Sequence, residues 1–197
     1  MKKNTAVAIV VAGLPLALGS ASLAQAAEAT YSVDTNHTHA TFAFQHLGFS
    51  TFRGKIPAKG GTIVVDRAAK TGRIDVEFDP NAVATGVPKF EDHLRGADFF
   101  EVAKHPTATF KSSKLTFDDQ GAPKTVAGEL TIKGITKPVT LQVTNFHCGD
   151  HPMAKVPACG ANATASIKRS DYGMSFAIPA VPDEIELEIE VEAMKKK

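Results

Sequence analysis

From residue 184 to residue 192 the chain reads EIELEIEVE, so Ile185, Leu187, Ile189 and Val191 alternate with five glutamates. Strand side chains repeat every two residues, which gathers the aliphatics on one face and the acids on the other. Propensity alone would favour a helix here, yet a period of two would scatter these aliphatics around a helix. The segment is therefore predicted as a strand with one buried and one wet face. Residues 73–78 repeat the pattern, with Ile74, Val76 and Phe78 against Arg73, Asp75 and Glu77. Within residues 34–54, DTNHTHATFAFQHLGFSTFRG, an extended chain puts Phe42, Phe44 and His46 on one face and Thr41, Ala43 and Gln45 on the other.

Further strands are predicted over 60–66, 107–117, 125–133, 138–146 and 161–169, all with β-branched content and turn residues at their ends. Gly134-Ile135-Thr136-Lys137 is predicted as a hairpin turn between two of them. One helix is predicted, over 89–104, KFEDHLRGADFFEVAK, between Pro88 and Pro106. Phe90 and Leu94 pair at i, i+4, Phe99, Phe100 and Val102 continue the apolar material, and Gly96 is placed to divide it. About eight strands and one main helix make a closed antiparallel β-barrel the simplest way to leave no sheet edge exposed. A barrel of that size is filled by its own side chains or holds one slender ligand.

The first residues change the picture of where this barrel works. Met1-Lys2-Lys3 is a positive start, Thr5 onward to Leu18 is almost wholly apolar, and Ala24-Gln25-Ala26 is a small-x-small cleavage pattern. Residues 1–26 are therefore predicted as a signal peptide cleaved after Ala26, the apolar stretch being short for a membrane span of roughly 20 residues. Residues 27–197 show no linker, repeat or low-complexity tract and are read as one domain. Losing Lys2 and Lys3 with the leader leaves a nearly neutral chain, so no field of one sign argues for nucleic acid. Lys195, Lys196 and Lys197 read as a solubilising end. An even count of two cysteines, Cys148 and Cys159, in an exported chain reads as one disulfide, worth roughly 3 kcal/mol at most for so short a loop.

Several groups of residues, in order along the chain, resemble the YceI-like family of polyisoprenoid-binding proteins. Asp34, His37-Thr38, Phe42, Phe44, His46 and Gly54 resemble its opening motif, and His93-Leu94 with Asp98-Phe99-Phe100 resembles its helix. Pro106 with Phe110, Gly128-Glu129-Leu130-Thr131 before Gly134, and Arg169-Ser170-Asp171-Tyr172-Gly173-Met174 continue the likeness over nearly all of residues 27–197. The resemblance implies an extended, lipocalin-like antiparallel β-barrel, usually exported to the periplasm, whose hydrophobic cavity takes a long isoprenoid or fatty chain. Quinones, polyprenyl phosphates and fatty amides are the ligand types it implies. The cysteine-bearing stretch 147–160 is found in only part of that family.

Apolar strand faces by themselves are usually core. With the resemblance, Phe42, Phe44, His46, Ile74, Val76, Phe78, Leu130, Ile132, Leu141, Val143, Leu187 and Ile189 are expected to line a lipid cavity. His37 and His39, two apart, would share a strand face as a metal-ligand pair, but His46 has the opposite parity, so the three do not converge and no metal site is expected. His147, Cys148, Asp150, His151 and Cys159 are also ligand types, though their spacing matches no trusted zinc pattern. Arg169, Asp171 and Tyr172 form the most chemically capable local group, but without a nucleophile elbow, zinc motif or phosphate loop they read as a structural corner, and no enzyme is expected. Arg53 or Lys55 is a candidate for an anionic headgroup. The expected function is a periplasmic carrier for an amphipathic isoprenoid or acyl lipid, monomeric or homodimeric, with no cofactor beyond that ligand. The alternatives are a metal-handling or redox-linked protein partnered with a membrane quinone enzyme, and a ligand-free structural or stress-response module whose interior its own side chains would fill.

Overall fold

The computed structural model describes residues 28–196, so the predicted leader lies outside the described residues. Nine strands follow one another as β1 (Ala29–Val33), β2 (His39–His46), β3 (Ser50–Asp66), β4 (Thr71–Phe78), β5 (Ala108–Phe117), β6 (Pro123–Ile132), β7 (Ile135–Asp150), β8 (Pro157–Lys168) and β9 (Glu184–Lys195). All pairings are antiparallel, and the ring β3-β2-β9-β8-β7-β6-β5-β4 closes through β4 on β3. The fold is thus mainly β, an eight-strand closed barrel, because β1 and β2 share one stave. Both run antiparallel to β3 and β9, β1 against Thr62 onward and β2 against Ser50 through Pro57 of β3.

The break in that stave is held by side chains. Asp34 N–H donates to Glu192 O at 2.9 Å, and the Thr38 hydroxyl accepts from Glu192 N–H at 3.1 Å and donates to Glu192 O at 3.2 Å. Thr38 is only 2% exposed, so these bonds satisfy a hydroxyl that would otherwise be stranded in the wall. Residues 34–38 therefore form a turn, not the start of a continuous strand.

Two further expectations are corrected. The helix over 89–104 is only α1 (Pro88–Arg95), since Gly96 takes extended backbone at φ −74°, ψ 178° and ends it. The chain then folds back on itself, Phe100 N–H donating to Leu94 O at 3.0 Å and Val102 N–H to Arg95 O at 3.0 Å. The hairpin turn is Lys133-Gly134, not 134–137. Both residues have positive φ, 53° and 73°, which fits a tight two-residue turn matched to the twist of the strands, and Ile135 already pairs with Ile132. The strands over 60–66 and 138–146 are parts of the longer β3 and β7, and that over 161–169 is part of β8 except for Arg169, which opens the 3-10 turn Arg169–Tyr172.

α1 lies beside the stretch of β3 that β4 does not reach. Lys55 exchanges backbone hydrogen bonds with Ala84 at 2.8 and 2.9 Å, which moors the β4–α1 connection there. Leu94 and Phe100 then bury themselves inside that end of the barrel, at 4% and 8% exposure. Phe42 on β2 closes the same corner over Gly54, its registered partner. A Cβ at Gly54 would collide with the Phe42 ring, so glycine is what lets the aromatic lie down on β3.

Candidate functional site

Period-two alternation aims one row of each strand inward, but the rows are not equally filled. Val76, Phe78, Phe110, Val126 and Leu130, on β4, β5 and β6, are buried. Leu141, Val143, Ala161, Leu187, Ile189 and Val191, on β7, β8 and β9, face inward too, yet stay half-buried. The inner row of β8 explains it. Cys159, Ala161 and Ala163 are small and border the deep cavity, so little side chain reaches into the barrel from that part of the wall.

The space left open forms two cavities. The deep one, of about 170 Å³, lies between the barrel walls; among its lining residues only Tyr31 and Thr38 carry a side-chain oxygen or nitrogen. The second, of about 280 Å³, lies at the α1 end between β2, α1, the loop after it and residues 174–185. Its polar lining is His46, His93 and Arg169, set among Phe42, Phe44, Phe90 and Phe99. Leu47, Phe49 and Phe176 are 51%, 88% and 50% exposed; Leu47 and Phe49 follow the lining residue His46 in the β2–β3 turn, and Phe176 is itself in the wall. This second cavity is the mouth, and its edge is greasy.

The structure brings all twelve sequence-predicted lining residues to these cavities. Phe42, Phe44 and His46 line the mouth, Ile74, Val76, Phe78, Leu130, Leu141, Val143 and Ile189 line the deep cavity, and Ile132 and Leu187 line both. Sequence reasoning missed the contributions of Ile56, Phe90, Leu94, Phe99, Phe100 and the β8 alanines. The alternation of alanine in residues 161–165 was the available signal for hollowness.

The polar groups divide by how free they are. Arg169 is 4% exposed and commits four of its five N–H donors to backbone: Nε donates to Pro182 O, Nη1 to Met174 O and Phe176 O, and Nη2 to Val181 O, at 2.8–3.0 Å. Burial lowers its pKa from the usual value, Asp183 opposing the shift. Arg169 thus builds the mouth loop, and its neighbour Tyr172 is buried at 1% with its phenol pushed up to about 12 by desolvation. The corner is structural as expected, but the carboxylate that caps it is Asp183, which accepts from Ser170 N–H at 2.8 Å and from the Ser170 hydroxyl at 2.7 Å; Asp171 does not. His93 sits on α1 with Nε2 3.0 Å from Asp98 Oδ2 and its ring edge-on to Phe99 and Phe176, centroids 5.0 and 4.9 Å away.

Other candidates fall outside these two cavities, and His37, His39, His147, Asp150 and His151 border a separate polar cavity of about 540 Å³ with Glu190 and Glu192. Arg53 and Lys55 are exposed on β3, whose inward row is Phe52, Gly54 and Ile56, so the headgroup expectation for them is not met. His37 lies in the stave break, off the strand that carries His39, with Nδ1 2.7 Å from Asp34 Oδ2, while His39 on β2 lies 2.9 Å from Glu190 Oε2 and 2.8 Å from Lys55 Nζ; the two are on one side of the wall but each is already engaged with its own partner. Asp34, His37 and Glu192 bring one ligand atom each to within 4.8 Å of one another, a group the sequence reading did not assemble. Asp34 already spends both oxygens inside the turn, on Asn36 N–H and His37. Cys148 and Cys159 are registered partners on β7 and β8 joined as a disulfide, which removes the thiolates a metal reading of that hairpin needs.

Comparison with known proteins adds three findings. The model of the YceI-like domain matches residues 31–193. The chain is 34% identical over 200 residues to Protein YceI of Salmonella arizonae, with full coverage of both chains, and 33% identical over 186 residues to a UPF0312 protein of Pseudomonas aeruginosa, covering 92% of this chain and 96% of that one. The crystal structure of Campylobacter jejuni YceI protein superposes with a TM-score of 0.63 at 26% identity, over 76% of this chain and 88% of that one. A polyisoprenoid-binding domain from Saccharophagus degradans superposes with a TM-score of 0.60 over 84% and 98%, but at 14% identity this likeness is one of fold.

Proposed function

This chain belongs to the YceI-like family, and on that premise we propose that it is a lipid-binding protein, holding the isoprenoid or acyl tail of an amphipathic molecule in the barrel with the polar head at the mouth. The observation that carries the reading is the deep cavity: about 170 Å³ of space walled by hydrocarbon. An apolar cavity of about 150 Å³ stays dry and accepts hydrocarbon, because water there would forgo its hydrogen bonds. Binding would be driven by desolvation, each buried methylene contributing roughly 0.8 kcal/mol. His46 and His93 are the side chains placed to meet a head such as a quinone, a polyprenyl phosphate or a fatty amide. The leader pattern and the disulfide support export to the periplasm, where thiols are oxidised.

The test is native mass spectrometry of protein recovered from its own periplasm, followed by organic extraction. A co-purifying single species or homologous series with a long apolar tail is expected. Empty protein in repeated preparations, with no uptake from added quinone, polyprenol or fatty amide, would contradict the reading.

A further inference from the structure

The two cavities are not independent: Ile56, Phe100, Ile132 and Leu187 line both and so form the wall between them. Three of these belong to the barrel ladder, on β3, β6 and β9, where backbone pairing fixes their positions. Phe100 does not. It stands on the loop that folds back from α1, its base held by the bonds of Phe100 N–H to Leu94 O at 3.0 Å and Glu101 N–H to Gly96 O at 2.9 Å. Lys133 Nζ secures that loop further through Ala97 O at 2.6 Å.

We infer that Phe100 is a specificity-determining residue: its ring partitions the binding space and admits one hydrocarbon chain from the mouth into the deep cavity. The inference rests on the lipid-binding reading and narrows its ligand to single-tailed amphipaths. Chemistry on the two sides sets the direction of entry. His46 and His93 are on the mouth side, while among its lining residues the deep side offers no charged group and only Tyr31 and Thr38 as polar side chains. A head therefore stays at the mouth, and the far end of its tail passes Phe100. A diacyl lipid would leave its second chain at the partition, since Ile56, Ile132 and Leu187 stand on paired strands whose backbone cannot draw back to widen the passage.

The experiment measures affinity for a series of saturated primary amides, short to long, and for a diacyl phosphatidylcholine, by native mass spectrometry of the wild type, Phe100→Leu and Phe100→Trp. Thermal melting confirms that each variant is folded. In the wild type, each methylene reaching the deep cavity should tighten binding roughly fourfold, the equivalent of about 0.8 kcal/mol, and the diacyl lipid should not bind. Phe100→Trp should lower the long-to-short affinity ratio by about tenfold or more. Phe100→Leu should raise that ratio and let the diacyl lipid in, and it carries the test alone if the bulkier variant does not fold. Variants that weaken all lengths equally, or a wild type that takes the diacyl lipid as tightly as a single chain, would overturn the partition. A wild type that binds no amide, quinone or polyprenol would instead overturn the lipid-binding reading itself.

Discussion

The two walls of this barrel are built from the same alternating strands and end up with opposite characters. On β4, β5 and β6 the inward row carries Phe78, Phe110, Val126 and Leu130, which line the deep cavity yet are at most 9% exposed. On β7, β8 and β9 the inward row is equally apolar, but the alanines of β8 leave Leu141, Ile189 and Val191 facing space. Inward direction and burial are therefore separate properties. The first comes from periodicity; the second depends on the summed volume of the residues opposite. Both walls line the cavity, but β4–β6 present residues that are nearly covered, whereas β7–β9 leave Leu141, Ile189 and Val191 more open to it.

The sharpest way to break this comparison is to truncate one residue on each wall. Phe110→Ala should cost about 3–5 kcal/mol in chemical denaturation, the range for a packed aromatic. Ile189→Ala should cost less, about 1–2 kcal/mol, because its contacts on the cavity side are already absent. Equal losses would mean that the walls are packed alike. Next in size is the Cys148–Cys159 bridge, which ties the long β7–β8 hairpin on the hollow side. Replacing both cysteines with serine should cost no more than about 3 kcal/mol, given the short loop it closes.

Adding volume should sharpen the contrast in the other direction. Val83→Phe overpacks a position that lines neither cavity and should cost about 1–3 kcal/mol, whereas Ala163→Leu grows into the deep cavity and should change stability by less than about 1.5 kcal/mol. Lipid uptake by the folded Ala163→Leu protein should fall sharply, which a binding titration reads directly.

The smallest expected effect comes from the stave break beside β9. The hydrogen bond from His37 holds the Asp34 carboxyl below its usual range, with burial opposing, and the same bond raises the His37 imidazole. The Asp34 part is present above the ordinary carboxylate value near 4 and is lost as pH falls through the lowered value. The His37 part is complete below the ordinary imidazole value near 6.5 and is lost as pH rises through the raised value. The pair thus contributes most between those two ordinary values. His37→Ala should remove a small excess of melting temperature at about pH 5 over about pH 9, and NMR titration of His37 should show a midpoint above that of a free imidazole.

Much of the barrel was legible because β4 and β9 alternate so strictly that only one face can be wet. The twelve residues predicted to line a cavity reach its walls for the same reason. The helix was overextended, because Phe99, Phe100 and Val102 continue an apolar pattern that does not record where the backbone turns back after Gly96. Phe100, which stands between the cavities, was invisible as such: its position follows from the fold-back of that loop onto Leu94 and Arg95. His37 and His39 were given a common face by parity; the Asp34–Thr38 turn breaks the strand on which that parity depends, yet both still border the same polar cavity. The hollow beside β8 is a volume deficit summed over three strands, and no single residue announces it.

The most direct test of the account is a crystal structure of the protein with a long primary amide carrying bromine at the end of its tail. The account predicts an anomalous bromine peak in the deep cavity, past Phe100 and against Ala163 and Ile189, with the amide head near His46 and His93. A bromine peak at the mouth, or on the outer surface, would contradict it.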